Sequence, residues 1–311
     1  MVRFTFGAFN WESVVDHQQR ALDRLRAYQP PPTQYDSAPL SRRAAVLLLL
    51  FADRRGDLRI VLTMRASTLS SYSGHAAFPG GRAEGDETAV QTARREAAEE
   101  IGLPADDNKL PYPFTIEHLC ELPANLARTE LVVRPCVAFL HSYDGQTGVD
   151  ASVDETLIPR LDAKEVAAVF SAPFHNFLLD HDENIDASLP ERPQDWYKGA
   201  WTDWHQTRWR MHYFYVPITN QRVTTPQKTD GQKMAVSKLA NKKRYQVWGM
   251  TARMLVDAAT LAYGEKPKFD HNAHFGDEDM ISRLRQVGRL GEVRRPNDEL
   301  TSDVMEKAAN L

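Results

Sequence analysis

Cysteine is nearly absent from this 311-residue chain, which carries only Cys120 and Cys136. Two cysteines can build neither a disulfide framework nor a cysteine-based zinc site, so both are expected to be small buried hydrophobes in a reducing compartment. Long apolar runs are missing as well. The longest, Ala44 to Phe51, is far too short to span a bilayer. Arg3 is not followed by the sustained apolar stretch of a secretory leader, so secretion and membrane insertion are not expected. Nor is there a surplus of basic charge: the formal net charge of −4 gives no general case for binding a nucleic acid polymer. What is present, 42% hydrophobic and 26% charged residues, is the composition of a globular chain with ample material for a core.

Periodicity divides the chain. Ser13 to Tyr28 reads as an amphipathic helix with Val14, Val15, Ala21, Leu22 and Leu25 toward one side, and Pro30 to Pro32 end it in a stiff connector. Ala44–Phe51 and Leu58–Met64 form a hairpin signal, followed by a short strand from His75 into Pro79-Gly80-Gly81. Further strands are expected at Thr115–Leu122, Leu131–Leu140 and Met211–Val216, strand or short helix around Pro173, and one long helix over Tyr245–Tyr263. Short strands with a few long helices predict an α+β sandwich, helices on both faces of a mixed sheet. The expected organisation is an N-terminal helix and connector over residues 1–40, a main domain over 41–263, and a C-terminal tail over 264–311. Loop or lid inserts are expected at 180–208 and 219–244. The first insert and its exit hold Trp196, Trp201, Trp204 and Trp209, which either anchor it to the core or stack on a ligand. The second is basic: residues 221–244 carry seven Lys or Arg against Asp230.

The segment with the most chemistry lies between Gly81 and Leu103. It reads Gly-x5-Glu-x7-Arg-Glu-x-x-Glu-Glu-x-Gly-Leu, with Gly81, Glu87, Arg95, Glu96, Glu99, Glu100 and Gly102 at the named positions. Thr88 to Glu100 contains no Gly or Pro, Asp86 can cap its start, and Gly102 can end it in the left-handed conformation. In a helix, Glu96, Glu99 and Glu100 share one narrow face, while Val90, Ala93, Ala97 and Ile101 form a separate apolar stripe. Clustered carboxylates repel one another unless a counter-charge is supplied, and Arg95 supplies only part of it. Hard oxygen donors of this kind suit Mg²⁺ or Mn²⁺, ions that also bind phosphate oxygens.

This spacing resembles the Nudix box. Leu62-Thr63-Met64-Arg65-Ala66, Gly74 and Phe78-Pro79-Gly80-Gly81 resemble the additional signature of the coenzyme A diphosphatase branch, most closely its fungal peroxisomal members. Val132-Val133-Arg134-Pro135, Glu165-Val166, Met211-His212-Tyr213 and Trp248-Gly249-Met250 follow in family order. Ser70, Tyr72 and His75 depart from that signature, and the missing basic residue at position 70 leaves the substrate open.

The resemblance implies a Nudix-type α/β/α sandwich with a metal-binding loop–helix–loop. It implies a metal-dependent diphosphatase that splits coenzyme A or a derivative into 3′,5′-ADP and 4′-phosphopantetheine, or its acyl form. Glu96, Glu99 and Glu100, with the carbonyl of Gly81, would hold the metal, and one of these carboxylates or Glu165 would activate water. Arg65 and Arg82 would meet phosphates, while Glu87 and Arg95 would brace the helix. Two other readings stay open: a broader diphosphatase acting on oxidised nucleotides or diphosphoinositol polyphosphates, and a catalytically silent binding module. The tripeptide Ala309-Asn310-Leu311 resembles a variant peroxisomal address; without it, the expected location is the cytoplasm.

Overall fold

The apolar run becomes strand β1 (Arg43–Ala52), with residues 47–51 all buried. A strand covered on both faces has to lie inside a sheet flanked on both sides. In the computed structural model, which describes residues 12–65, 75–151, 153, 157, 166–183, 196–204, 207–218, 221, 223, 225, 242–293 and 300–311, β1 is central. It pairs antiparallel with β2 (Leu58–Arg65) and with the short β4 (Gly80–Arg82), which follows β3 (Ala76–Ala77). On its other side it runs parallel to β7 (Val132–His141), preceded by β5 (Thr115–Glu121) and β6 (Asn125–Leu126). With β10 (Val166–Pro173), which follows a small β8–β9 pair at 143–150, the path is β10-β2-β1-β7-β5.

Side chains alternate across this mixed sheet and build two cores. Leu48, Leu50, Ile60, Leu62 and Phe170 face one layer, which holds Ala21 and Leu25 of α1 (Glu12–Ala27) and Leu255 and Ala259 of α3 (Gly249–Tyr263). Leu47, Leu49, Phe51 and Val61 face the other, packed on Ala93, Ala97 and Ile101 of α2 (Ala89–Ile101). The α+β, α/β/α sandwich follows from that alternation. Ile101 is fully buried, and truncating it to Ala is expected to cost about 2–5 kcal/mol. Both cysteines are buried and free, their thiols pushed up by burial, to about 12 for Cys120.

Three expectations are corrected. The long helix over Tyr245–Tyr263 is a strand and then a helix: β13 (Arg244–Trp248) ends where Gly249 takes φ 64° and α3 begins. Tyr245 and Val247 are buried while Gln246 is exposed, a two-residue alternation masked by the helical stripe that follows. The first insert is not all loop. β11 (Tyr197–Trp204) and β12 (Thr207–Pro217) pair from Tyr197↔Phe214 to Trp204↔Thr207 and, with β13, form a second sheet. Trp196 anchors it, fully buried, its Nε1–H donating to the Asn176 carbonyl at 3.1 Å. Trp209 lies under the Arg253 guanidinium, 4.4 Å from ring centre to Cζ. Finally, residues after Gly264 form α4 (Glu278–Gln286) and α5 (Ser302–Ala309), whose Ile281, Leu284, Met305 and Ala308 join the second core. Of the second insert only 221, 223, 225 and 242–244 are described. Among the described residues no helix is long and apolar enough to cross a membrane.

Candidate active site

The site is assembled where β4 lies along β1. Val46 faces Gly80, Ala45 faces Gly81 and Ala44 faces Arg82, and the Leu47 N–H donates to the Pro79 carbonyl at 2.8 Å. A Cβ at Gly80 would lie 2.7 Å from Val46 Cα, so only glycine lets the turn sit this close to the core strand. The expected cap at Asp86 is instead Thr88. Its hydroxyl accepts from the Gln91 N–H at 3.2 Å, and the Gln91 side chain accepts from the Thr88 N–H at 2.9 Å. A reciprocal Thr-x-x-Gln box satisfies two helix-end donors at once, more than one aspartate can. Gly102 closes the helix at φ 69°, as its position predicts.

This framing turns the carboxylates toward the glycine turn. Glu100 accepts from the Gly80 N–H at 3.0 Å. The Glu96 carboxylate fills the space where a Cβ on Gly81 would stand. Glu99, half exposed, lies further out on the same face. Arg95 ties the group together: its Nε and Nη2 donate to the two Glu87 oxygens at 2.7 and 3.2 Å. Its Nη1 donates to Glu96 at 3.1 Å and Glu99 at 3.0 Å, and Nη2 also reaches the Arg82 carbonyl at 2.7 Å. Glu87 receives further bonds from the Glu84 N–H and the Thr92 hydroxyl, both at 3.0 Å. Arg95, foremost, holds the Glu87 carboxyl below its ordinary range, and Glu87 in turn raises the guanidinium. Thr92 escaped the sequence reading, because a threonine inside a helix carries no spacing signal of its own.

Gly81, Glu87, Arg95, Glu96, Glu99 and Glu100 are therefore brought together. Arg82 joins through its carbonyl, with its side chain exposed. Arg65 stands at the end of β2, its backbone paired with His75 and Val166. Among the described residues its buried Nε has no hydrogen-bond partner. Glu165, Ser70, Tyr72 and Gly74 lie outside the described residues. Three carboxylates on one side of a turn, two of them bonded to Arg95, form a hard-oxygen donor set that fits a divalent cation.

The NUDIX domain profile matches residues 41–192. A peroxisomal coenzyme A diphosphatase of Saccharomyces cerevisiae is 30% identical over 293 residues, covering 86% of this chain and 82% of that one. The mitochondrial Nudix hydrolase 15 of Arabidopsis thaliana is 31% identical over 245 residues, covering 76% and 67%. Among solved structures, a binary complex of the Caenorhabditis elegans Ap4A hydrolase aligns over 42% of this chain and 80% of that chain, at 19% identity and a TM-score of 0.29. The chain belongs to the Nudix hydrolases. It is an enzyme of a family that acts on diphosphate-containing small molecules and generally uses divalent metals.

Proposed function

We propose that this protein hydrolyses the diphosphate of coenzyme A or a derivative, releasing 3′,5′-ADP and 4′-phosphopantetheine or its acyl form. The observation that carries the reading is the fit of Glu96 and Glu100 against Gly81 and Gly80, in a chain similar over most of its length to a coenzyme A diphosphatase. Glu96, Glu99, Glu100 and the Gly81 carbonyl would hold Mg²⁺ or Mn²⁺. When bound, such ions neutralise diphosphate oxygens and make coordinated water a better nucleophile. The chain's own part is positioning. Arg95, itself held by Glu87, keeps Glu96 and Glu99 in register, the Gly80 N–H holds Glu100, and one carboxylate of the helix, or Glu165, takes the proton of the attacking water. Arg65, whose buried Nε has no hydrogen-bond partner among the described residues, and the exposed Arg82 would meet phosphate oxygens.

A second reading, a diphosphatase of broader range, is supported by Ser70 in place of a basic residue and by the exposed Lys242 and Lys243. Purified protein with Mg²⁺ or Mn²⁺ would be given coenzyme A, acetyl-coenzyme A, NADH, 8-oxo-dGTP and diphosphoinositol phosphates, and products weighed by mass spectrometry. The expected result is preferred cleavage of the coenzyme A forms; preference for any other member rejects the first reading, and inertness toward all rejects both. We also propose a peroxisomal location, in keeping with the name of the yeast relative; a fluorescent fusion that stays cytoplasmic would refute it.

A further inference from the structure

Away from the glycine turn, three residues far apart in sequence converge on one point. His17 lies on α1, His175 opens the short 3₁₀ turn after β10 (His175–Leu178), and Glu265 follows the Gly264 cap of α3. His17 Nε2 is 3.1 Å from Glu265 Oε1, and His175 Nε2 is 3.2 Å from Glu265 Oε2. One potential ligand atom from each residue lies within 4.8 Å of the other two. The imidazole rings cross at 81° with centroids 5.4 Å apart, so they converge edgewise instead of stacking.

We propose that His17, His175 and Glu265 form a binding site for a borderline transition-metal ion, zinc(II) foremost, which clamps α1 to the end of α3. Ligands at about 2.0–2.2 Å around a tetrahedral ion stand roughly 3.3 Å from one another, close to the two N···O separations found here. Glu183 supports the assignment. Its Oε2 lies 3.1 Å from His175 Nδ1, so that nitrogen donates outward and Nε2 is left to face Glu265. With the ring neutral in this tautomer, the Nε2 lone pair would face a carboxylate oxygen, a contact that either a second ring proton or a bound metal ion relieves. A carboxylate on the far nitrogen of a ligating histidine is the usual support of a metal site.

The surroundings are built as well. Tyr263 packs beneath both rings, at 5.0 Å from His17 and 4.6 Å from His175, and its hydroxyl is fixed by donation to Gln18 at 2.7 Å. The side chains of His17, His175 and Glu265 are 31%, 18% and 41% exposed, so an ion can enter and keep water in its remaining position. Two imidazoles and one carboxylate favour zinc, cobalt or nickel over magnesium, the opposite preference to the all-oxygen set of Glu96, Glu99 and Glu100. The two sites are therefore separable by donor chemistry.

The test uses the full chain, stripped with chelator and then held in excess Mg²⁺ to occupy oxygen-only sites. Titration with Co²⁺ should give the visible absorption of a nitrogen-ligated ion, saturating at one equivalent and bleached by Zn²⁺. His17→Gln should abolish that signal, and Glu183→Gln should weaken Zn²⁺ binding about 10–100-fold. Should His175→Gln fail to fold, His17→Gln, changed on a partly exposed helix face, still decides the matter. Absence of the absorption in wild type overturns the site and leaves a proton-mediated clasp in its place. Equal Zn²⁺ affinity in wild type and His17→Gln also overturns it, because the ion then sits elsewhere.

Discussion

Gly81 and Glu96 compete for one small volume: the carboxylate of the second stands where a methyl group on the first would be. The end of a flexible side chain can move aside, whereas backbone cannot. Gly81→Ala is therefore expected to fold normally but push Glu96 off its position, lowering metal affinity or activity about 10–100-fold. At the preceding residue the obstruction is the Ala45 carbonyl and Val46 Cα. Gly80→Ala should instead lose about 1–3 kcal/mol of stability. Urea melts beside metal titrations separate the two outcomes; two variants with the same profile would refute the distinction.

Glu99→Gln and Glu100→Gln each remove one anionic oxygen at nearly constant volume. Glu100→Gln keeps a carbonyl that can accept from the Gly80 N–H, so the turn should survive. Turnover is expected to fall by about two to four orders of magnitude with the melting temperature little changed. Chelator should likewise abolish wild-type turnover, and Mg²⁺ or Mn²⁺ should restore it. Near-normal rates in both variants at saturating Mg²⁺ would remove the carboxylates from the chemistry.

Lys242 and Lys243 are exposed, whereas the Arg244 Nη1 donates to the Tyr215 carbonyl at 3.1 Å within the second sheet. Reversing only the two lysines to Glu tests the charge without disturbing that register. If they gather a polyanion, KM for coenzyme A should rise several-fold with kcat nearly constant, the mark of lost uniform binding. Dephospho-coenzyme A, lacking the 3′-phosphate, should be affected less. Equal effects on both substrates would assign the lysines a general electrostatic attraction, one that weakens with salt beyond about 8 Å.

His212 gives the pH dependence. Fully buried, it donates from Nε2 to His271 Nδ1 at 2.9 Å and accepts at Nδ1 from the Tyr197 hydroxyl at 3.0 Å, while His271 Nε2 donates to Asp257 at 2.7 Å. Burial, then the neighbouring His271, Arg210 and Arg253, push its pKa down to about 3. The unfolded chain therefore takes up the proton first, so stability is full above about pH 6.5 and falls as pH drops toward 3. The slope approaches about 1.4 kcal/mol per pH unit. Glu117, held down to about 2 chiefly by Arg26, adds its own loss only below the ordinary carboxylate range near 4.5. Urea midpoints between pH 6.5 and 5 should decline in wild type and flatten in His212→Gln. The flattening is partial, because His118 and His274 are also lowered by burial. An unchanged slope in the variant would place the dependence elsewhere.

The sheet and α2 were legible because their signals are local. Ala44–Phe51 is too apolar for an edge strand, and Ala93, Ala97 and Ile101 repeat at helical spacing. The carboxylate face was legible for the same reason. Contacts made across long separations were not. Nothing near position 17 announces residues 175 and 265, and nothing in Glu278 announces its bonds to Thr33 and Ala124. The Arg244–Trp248 strand was hidden by an apolar helix directly behind it, and Thr88 outcompeted Asp86 because only it has a partner three residues on.

The pairing of β4 with β1 has a consequence for motion. A loop that carries a ligand-binding backbone usually opens by itself, on its own timescale and at low free-energy cost. Here residues 80–82 are laddered to residues 44–46 of the central strand, with bonds from Leu47 to Pro79 and from Ala83 to Arg43 extending the ladder at both ends. Amides along this stretch should exchange their hydrogens as slowly as the buried strand they accompany, and slow together with it when the whole domain is stabilised. The turn then behaves as part of the slowest-opening unit of the protein, so the alignment of Glu96 and Glu100 persists until the fold itself gives way.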